Sequence, residues 1–367
     1  MVGRKISWWD PEIGDREYEL VRDVLARNFP NEGRVARQLE ERASALIGSK
    51  HAVTSTNGTS ALYMALKAVG VGVGDEVIVP DLTFIATANA VDMCGAKPVL
   101  VDVEPDSMNM GVESFTNAIT EKTKAVIPVH VSGRSADIEA ICDAAGEKGI
   151  HVIEDAAEAF MSKKKGRCLG TFGVCGCYSF SPNKIVTSGQ GGLVVTDDEE
   201  VDVRLRMLKD QGRPKRGTGG DDIHESIGYN FKFTDIQAAV AVGQLEYLEE
   251  RMKRLRRNHE LYVEHLSGLD GVRLYEFDLG SGELPLWTDI YSDRRDELDE
   301  YLMRLSIDCR RLWHPLHMQE PYRMPSENFP NSLDCSRNSI WLPSAYNLSD
   351  DDVLRVCESI RRFISGQ

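Results

Sequence analysis

Between about residues 52 and 200, short apolar runs alternate with helical stretches, and this pattern constrains the fold more than any other feature of the chain. Apolar runs of strand length that are separated by helices indicate strands buried on both faces. Such strands form a mainly parallel sheet that binds ligands at the strands' carboxyl ends. The strand-like runs are 76–79, 98–103, 125–131, 151–154, 176–180 and 193–196, and the helical stretches include 60–69, 85–94 and 135–148.

Helical patterns flank this alternation on both sides. Residues 15–47 are expected to form two short amphipathic helices separated by a turn at 28–31. One long helix is expected after the glycine-rich segment Gly217–Gly220, because Thr234 and Gln237 form a capping box at its start. Its apolar face would carry Ile236, Val240, Leu248, Met252 and Leu255.

The length of 367 residues suggests two domains. Residues from about 260 onwards mix short strands with helices, which indicates a second, smaller domain. We therefore expect residues 1–250 to form an N-terminal arm and a large domain, and residues 251–367 to form a small C-terminal domain.

The composition excludes several classes of protein. A net charge of −15 does not provide the positive surface that nucleic-acid binders and basic membrane-surface proteins carry. No apolar run reaches the roughly 18 residues of a membrane span, and the N-terminal residues lack the apolar core of a signal peptide. The eight cysteines are scattered through predicted strands and helices. We therefore expect a cytoplasmic protein that binds neither nucleic acid nor membrane.

Three patterns that resemble cofactor or metal sites are weak. The glycines of Gly70–Gly74 follow a predicted helix and precede a strand, the reverse of the order in a dinucleotide-binding fingerprint. Cys175 and Cys177 alternate along a strand, which is typical of buried cysteines. His314 and His317 form a weak metal pair and a candidate substrate contact. We expect no bound metal.

The segment 55–62 follows a short strand and begins a helix. Gly58 allows a ligand to approach the backbone closely, and the N–H groups of the helix start, with two hydroxyls, form an anion site that suits a phosphate. The same Asn-Gly-Thr sequence is also compatible with a plain helix-capping turn.

Two further segments follow predicted strands. Asp155 ends an apolar strand, where a carboxylate is costly unless it meets a cation or a strong donor. It either caps a following helix or pairs with a protonated ring nitrogen. Lys184 lies between a core strand and a glycine-rich turn, and an amine in an apolar pocket can form a Schiff base with an aldehyde. The alternative for Lys184 is an ordinary surface lysine.

These three segments occur in order on one predicted parallel sheet, which brings their functional groups to the same edge. A phosphate site, a carboxylate and an amine together suit a ligand with a phosphate, a basic ring nitrogen and an aldehyde. Pyridoxal 5′-phosphate (PLP) has all three groups. Asp155 would keep its ring protonated, so that the ring accepts electrons when a Cα–H bond breaks.

The chain resembles the DegT/DnrJ/EryC1/StrS family of sugar aminotransferases, which are fold-type I PLP enzymes. The resemblance runs over almost the whole length, from Ile13 to His317. It implies an α/β fold with a large three-layer domain, built on a mainly parallel sheet, and a smaller α+β C-terminal domain. The motifs that carry it are 57–62, 79–90, 154–159, Asn183-Lys184 with 189–192, and 228–230.

The resemblance also implies how the ring of the cofactor is held. Lys184 would be the catalytic Schiff-base lysine and would move the proton between the substrate and the cofactor. Asp155 would pair with the ring nitrogen, and Phe84 would stack on the ring. Glu158, where many relatives carry Gln, would lie near the ring's 3-oxygen.

The phosphate, by the same resemblance, would be held by both subunits of a homodimer. Gly58, Thr59 and Ser179 of one subunit would bind it. Asn230 of the neighbouring subunit would reach the same phosphate. The resemblance therefore implies shared active sites.

Three departures from the family pattern lie where the substrate would approach. Ser181 replaces the His or aromatic residue that many members carry three positions before the lysine. Lys232 stands where relatives often have Arg, and the region 276–286 is short. These differences concern the identity of the substrate and leave the cofactor chemistry intact.

The implied reaction moves an amino group from L-glutamate to a keto sugar, which is nucleotide-linked and serves a surface polysaccharide or a glycosylated metabolite. A diphosphate-bearing substrate needs local positive charge, for which Arg213, Lys215 and Arg216 are candidates. One alternative is a deoxysugar dehydratase that uses pyridoxamine phosphate, but such enzymes have His in place of Lys184. The other is a regulatory homologue without turnover, which the intact Asp155 and Lys184 do not favour.

Overall fold

A computed structural model describes residues 4–214 and 222–366 of the chain. Within these ranges the strands are β1 (His51–Ser55), β2 (Glu76–Pro80), β3 (Lys97–Val101), β4 (Thr123–Val126), β5 (His151–Asp155), β6 (Lys163–Lys164), β7 (Arg167–Cys168), β8 (Cys175–Ser179), β9 (Gly192–Thr196), β10 (Arg273–Leu274), β11 (Asp289–Tyr291), β12 (Arg310–Arg311) and β13 (Ser339–Trp341). The helices are α1 (Asp15–Ala26), α2 (Arg34–Ile47), α3 (Gly58–Ala68), α4 (Ala86–Met93), α5 (Val112–Asn117), α6 (Ile138–Lys148), α7 (Glu199–Lys209), α8 (Asp235–Glu246), α9 (Leu248–Leu266), α10 (Arg295–Arg304), α11 (Pro330–Asn338) and α12 (Asp350–Ser365).

Seven strands form the central sheet, in the order β1-β9-β8-β5-β4-β2-β3. Strands β2, β3, β4, β5 and β8 run parallel, and β9 pairs antiparallel with both β8 and β1. The prediction of a mainly parallel sheet is therefore confirmed. The register places Asp155 of β5 opposite Cys177 of β8, so the segments after these two strands share one edge of the sheet.

Both faces of the central sheet are buried, as the continuous apolar runs predicted. Neighbouring side chains of a strand enter different apolar cores: Val152 and Ile153 of β5 do so, and so do Val195 and Val194 of β9. One core also contains side chains of α2, α6 and α8, and the other contains those of α3, α4 and α7. The sheet is thus the middle of three layers.

A second, four-stranded antiparallel sheet has the order β10-β11-β13-β12. Helices α9, α10, α11 and α12 belong to the same part of the chain. The predicted division at residue 250 falls inside α9 and stays a prediction. Within the described ranges, no helix has both the length and the apolar character that crossing a membrane requires.

Two predicted elements have different limits in the structure. The expected long helix is two helices, because Tyr247 has φ −99° and ψ 3° and separates α8 from α9. The predicted capping box of Thr234 and Gln237 is present at the start of α8. The strand expected over 125–131 ends at Val126, two residues before Pro128, which has no N–H to donate. The segment Gly217–Gly220 lies outside the described residues.

A buried ion network joins α2, α7 and β1. The amine of Lys209 lies 2.8 Å from carboxylate oxygens of both Glu32 and Glu40. Glu40 also accepts hydrogen bonds from the N–H and hydroxyl of Thr54, and Arg206 lies 3.1 Å away. Burial alone would raise the pKa of Glu40, but Lys209 and Arg206 lower it to about 2. Glu40 is therefore charged at neutral pH.

We expect Glu40→Gln to lower the free energy of unfolding by about 3 kcal/mol at pH 7. The pKa of Glu40 is lower in the folded chain, about 2, than its ordinary value of 4.5. The stabilisation is therefore present above pH 4.5 and is lost as the pH falls towards 2. Urea unfolding at pH 7 and pH 4 should show that wild type and variant differ less at the lower pH. Glu41→Gln, an exposed neighbour on α2, should change little at either pH, and a pH-independent loss in Glu40→Gln would contradict the assignment.

Candidate active site

A cavity of about 570 Å³ opens where β2, β5 and β8 end. This volume lies in the range of cofactor and small-molecule sites. The start of α3 and three side chains near the second sheet, Trp287, Arg310 and Trp313, complete its wall. Seven of the eight predicted site residues line it: Gly58, Thr59, Phe84, Asp155, Glu158, Ser179 and Lys184.

The start of α3 forms one side of the cavity. Asn57 caps the helix, since its side-chain oxygen accepts the N–H of Ser60 at 2.8 Å. The N–H groups of Gly58 and Thr59, in the first turn, have no carbonyl partner within a helix. A Cβ on Gly58 would lie 3.2 Å from the Cβ of Ser179, closer than such atoms usually approach. The capping turn is therefore present, and it also leaves donors for an anion.

Asp155 presents a buried carboxylate at the end of β5. The hydroxyl of Thr87 donates to one oxygen at 2.8 Å, and the N–H of Ala157 donates to the other at 3.2 Å. Residues 156–162 contain turns and no helix, so Asp155 is not a helix cap. Burial raises the pKa of Asp155. A cation placed beside it would stabilise the charged form.

Lys184 is buried and is not a surface lysine. Its Nζ lies 3.4 Å from Oε1 of Glu158 and 4.8 Å from the centroid of the Trp287 ring. Burial raises the pKa of Glu158, and the charge of Lys184 opposes this rise. The amine thus lies between a carboxylate and an indole face, within the cavity.

Sequence reasoning missed Ser132, which holds Glu158 in place. Ser132 has a left-handed backbone (φ 56°) although it is not a glycine. Its N–H donates to Glu158 at 2.9 Å, and its hydroxyl donates to Asp289 at 2.7 Å and accepts the indole N–H of Trp341. Nothing in the local sequence signals these contacts, because Asp289 and Trp341 are distant in the chain.

Asp289 also pairs with Arg134. The pair is buried, with Nη2 of Arg134 at 2.5 Å from Oδ2 of Asp289, and the guanidinium lies over the ring of Phe277. Through Ser132, this pair connects the second sheet to the carboxylate that faces Lys184.

All five tryptophans of the chain form one cluster at the cavity. The ring centroid of Trp287 lies 5.3 Å from that of Trp8, 6.5 Å from that of Trp9 and 4.9 Å from that of Trp341. The ring centroids of Trp313 and Trp341 lie 5.0 Å apart. These residues come from both ends of the sequence, so no local pattern predicts that they meet.

Three residues singled out from the sequence do not line the cavity. Asn230, which the family resemblance assigns to the phosphate of a neighbouring subunit, is exposed and lies outside the cavity of this chain. His317 is buried between Asp81, at 2.6 Å, and Ser326, at 3.1 Å. Neither His317 nor His314 lines the cavity, so the expected substrate contact is not found for them.

Of the three basic residues predicted to bind a diphosphate, one lies among the described residues and is paired with acids. Arg213 pairs with Asp210 at 3.1 Å and with Asp222 at 2.7 Å. Lys232, one of the departures from the family pattern, pairs with the same Asp210. The other two candidates, Lys215 and Arg216, lie outside the described residues.

Comparison with known proteins identifies many relatives. The model of the DegT/DnrJ/EryC1/StrS aminotransferase family matches residues 11–361. The chain is 35% identical to GDP-perosamine synthase of Escherichia coli O157:H7 over 99% of both chains, and 33% identical to the spore coat polysaccharide biosynthesis protein SpsC of Bacillus subtilis over 97% of this chain and 96% of SpsC. The structure of DesV of S. venezuelae, solved with a ketimine intermediate, superposes with a TM-score of 0.94, at 31% identity and 99% coverage of both chains.

We expect Asp289→Asn to lower the free energy of unfolding by about 3–5 kcal/mol, because it leaves the buried Arg134 without its carboxylate partner. Urea denaturation at pH 7 measures the change. The matched control is Arg294→Gln, which removes the exposed pair with Glu297 and should cost below about 1 kcal/mol. A loss in Asp289→Asn as small as in the control would show that the buried pair does not stabilise the fold.

Proposed function

The chain belongs to the DegT/DnrJ/EryC1/StrS aminotransferase family, and we propose that it transfers the amino group of L-glutamate to a keto sugar linked to GDP. It is a PLP-dependent sugar aminotransferase of nucleotide-sugar and polysaccharide biosynthesis. The observation that carries the proposal is the buried amine of Lys184 between Glu158 and Trp287, in a cavity that also contains the start of α3 and Asp155. The choice of GDP is supported by the relatives named GDP-perosamine synthase.

The residues of the cavity fit the cofactor, and we propose a role for each. When bound, PLP supplies an aldehyde that condenses with amines and a ring that accepts electrons from a breaking C–H bond. The N–H groups of Gly58 and Thr59, with the hydroxyl of Ser179, bind the phosphate. Phe84, half of whose side chain is exposed at the cavity, orients the ring by stacking.

Asp155 and Glu158 are the two carboxylates that would interact with polar atoms of the ring. The buried carboxylate of Asp155 needs a cation, which a protonated ring nitrogen provides. Glu158 lies beside Lys184 and would hold the cofactor near the 3-oxygen of its ring. The Nζ of Lys184 would hold the cofactor through its aldehyde group, and the same amine would move the proton to and from the reacting carbon of the substrate.

A homodimer with shared sites completes the proposal. Asn230 does not line the cavity of its own chain, and Ile223 and Ile227 of the same segment are 62% and 81% exposed. A second copy of the chain would cover these apolar side chains and receive Asn230 at its phosphate. The hydroxyl of Tyr229 lies 2.5 Å from that of Tyr63 on α3, which holds the segment against α3.

We also propose that the enzyme works in the cytoplasm. All eight cysteines are free thiols in the structure. Free cysteines in this number are typical of a reducing compartment.

Lys184→Ala should remove the absorption band of the Schiff base between lysine and PLP and prevent glutamate from converting the cofactor to its amine form, because no other amine lines the cavity among the described residues. In the wild type, L-glutamate should shift this band to shorter wavelength. Lys165→Ala, which removes an exposed lysine paired with Glu139, should behave as wild type. A wild-type band that ignores glutamate would refute this donor, and the absence of any band would refute the role of Lys184.

The sugar is tested by mass spectrometry of the products. The PLP-loaded enzyme with L-glutamate should replace the carbonyl oxygen of a GDP-linked keto sugar with an amino group. A dTDP-linked keto sugar serves as the comparison. Preference for the dTDP-linked sugar would contradict the proposal that the nucleotide is GDP, but it would still support the proposed amino transfer to a keto sugar.

Asn230→Ala should weaken PLP binding, and hybrid dimers can show which subunit Asn230 serves. A dimer of one Lys184→Ala chain and one Asn230→Ala chain contains one fully wild-type site if Asn230 acts across the interface, and none if it acts within its own subunit. We expect co-expressed, doubly tagged hybrids to recover about half of the wild-type activity at a PLP concentration that leaves Asn230→Ala homodimers inactive. Hybrids as inactive as the parent homodimers would contradict shared sites.

A further inference from the structure

Arg310 lines the cavity from β12 of the second sheet, yet no role has been assigned to it. Its side chain is exposed, and its guanidinium carbon lies 4.9 Å from the ring centroid of Trp8 and 5.7 Å from that of Trp341. No carboxylate of the described residues pairs with it. Contact with two indole faces holds the guanidinium in place while leaving its N–H groups for a ligand.

The neighbouring arginines show that this lack of a partner is particular to Arg310. Arg311, the next residue of the same strand, lies 2.7 Å from Asp299 and 3.2 Å from Asp296. Arg295 also pairs with Asp296, at 2.7 Å. Because successive side chains of a strand point to opposite faces, the acids neutralise Arg311 and leave Arg310 on the side of the cavity.

The charges of the cavity make an unpaired cation useful there. Asp155 and Glu158 are carboxylates, and Lys184 is already close to Glu158. An anionic substrate that enters this cavity meets two buried acids in a chain of net charge −15. Arg310 offers a planar fork of donors that suits carboxylate and phosphate oxygens.

The indole cluster indicates which part of a substrate Arg310 can reach. Lys184 lies over Trp287, and Trp287 in turn packs against Trp8 and Trp341, the two rings that contact Arg310. Arg310 and Lys184 line the same cavity, and the ring contacts that join them run through Trp287 and then through Trp8 or Trp341. Because Arg310 does not touch Lys184 directly, we assign it to a part of the substrate away from the reacting carbon.

We propose that Arg310 binds a distal oxyanion of the substrate, which is either the side-chain carboxylate of the amino donor or the diphosphate of the nucleotide sugar. This inference rests on the proposed function and assigns a substrate-binding residue to that site. The shared chemistry is an anion held by a bidentate guanidinium at a distance from the reacting carbon.

The two sources are separated by two measurements on the PLP-loaded enzyme. The first follows the change in visible absorption after an amino acid is added, and determines the amino-acid concentration at which its rate is half-maximal. This concentration is compared between L-glutamate and L-alanine, which lacks the distal carboxylate. The second measures GDP binding by calorimetry. Arg310→Gln removes the charge, Arg310→Lys keeps the charge without the fork, and Arg311→Gln is the control on the opposite face of β12.

If the donor is the source, Arg310→Gln should raise the half-saturating glutamate concentration about 10- to 100-fold and leave alanine within about 2-fold. If the diphosphate is the source, Arg310→Gln should weaken GDP binding by a similar factor. Arg310→Lys should fall between wild type and Arg310→Gln, and Arg311→Gln should match wild type in both measurements.

Two results would overturn the inference. In one, Arg310→Gln matches wild type for both glutamate and GDP. In the other, Arg310→Gln raises the half-saturating concentrations of glutamate and alanine by the same factor and leaves GDP binding unchanged, as a structural defect would. A wild-type enzyme that ignores glutamate refutes the proposed donor instead, and GDP binding then decides the role of Arg310. If the wild type responds to neither probe, the inference fails as well.

Discussion

Three carboxylates are buried within five residues at the end of β5, and the arrangement of the site depends on satisfying them. Glu154 accepts the N–H groups of Gly170 and Gly173 and lies 3.0 Å from His130. Asp155 accepts the hydroxyl of Thr87 on α4, and Glu158 accepts the N–H of Ser132. Each acid thereby fixes a different loop or helix against the sheet. An unpartnered buried carboxylate would cost several kcal/mol, so the loops that form the cavity are held by the groups that make it reactive.

The central sheet and the three main site segments could be predicted because both follow from local sequence. Apolar runs separated by helices determine a parallel sheet, and the order of Gly58, Asp155 and Lys184 along it determines that they meet at one edge. Ser132 and Arg310 could not be found in this way. Their positions at the site arise when the second sheet packs against the first, through contacts between residues more than 150 positions apart. The break at Tyr247 was also missed, because neither glycine nor proline marks it.

Net charge alone does not determine which ligands a site can bind. The chain has 15 more acidic than basic residues, but its cations are distributed unevenly among partners. Arg134 is matched with Asp289, and Arg213 and Lys232 share Asp210. A ligand can bind only those arginines and lysines that are not already paired with acids of the protein. Which ones remain unpaired depends on the tertiary structure. An acidic protein can therefore accept anionic substrates where one of its arginines has no acid nearby.

The gathering of every tryptophan at the cavity has an optical consequence. Indole emission overlaps the near-ultraviolet and violet absorption of pyridoxal compounds, and energy transfer between them is efficient over distances much larger than those in this cluster. Since Trp287 touches Lys184 and the other four rings lie within one or two contacts of it, the chain has no remote indole to give a constant background. Its intrinsic fluorescence is thus a built-in reporter of occupancy, and loading can be followed on the unlabelled protein in real time.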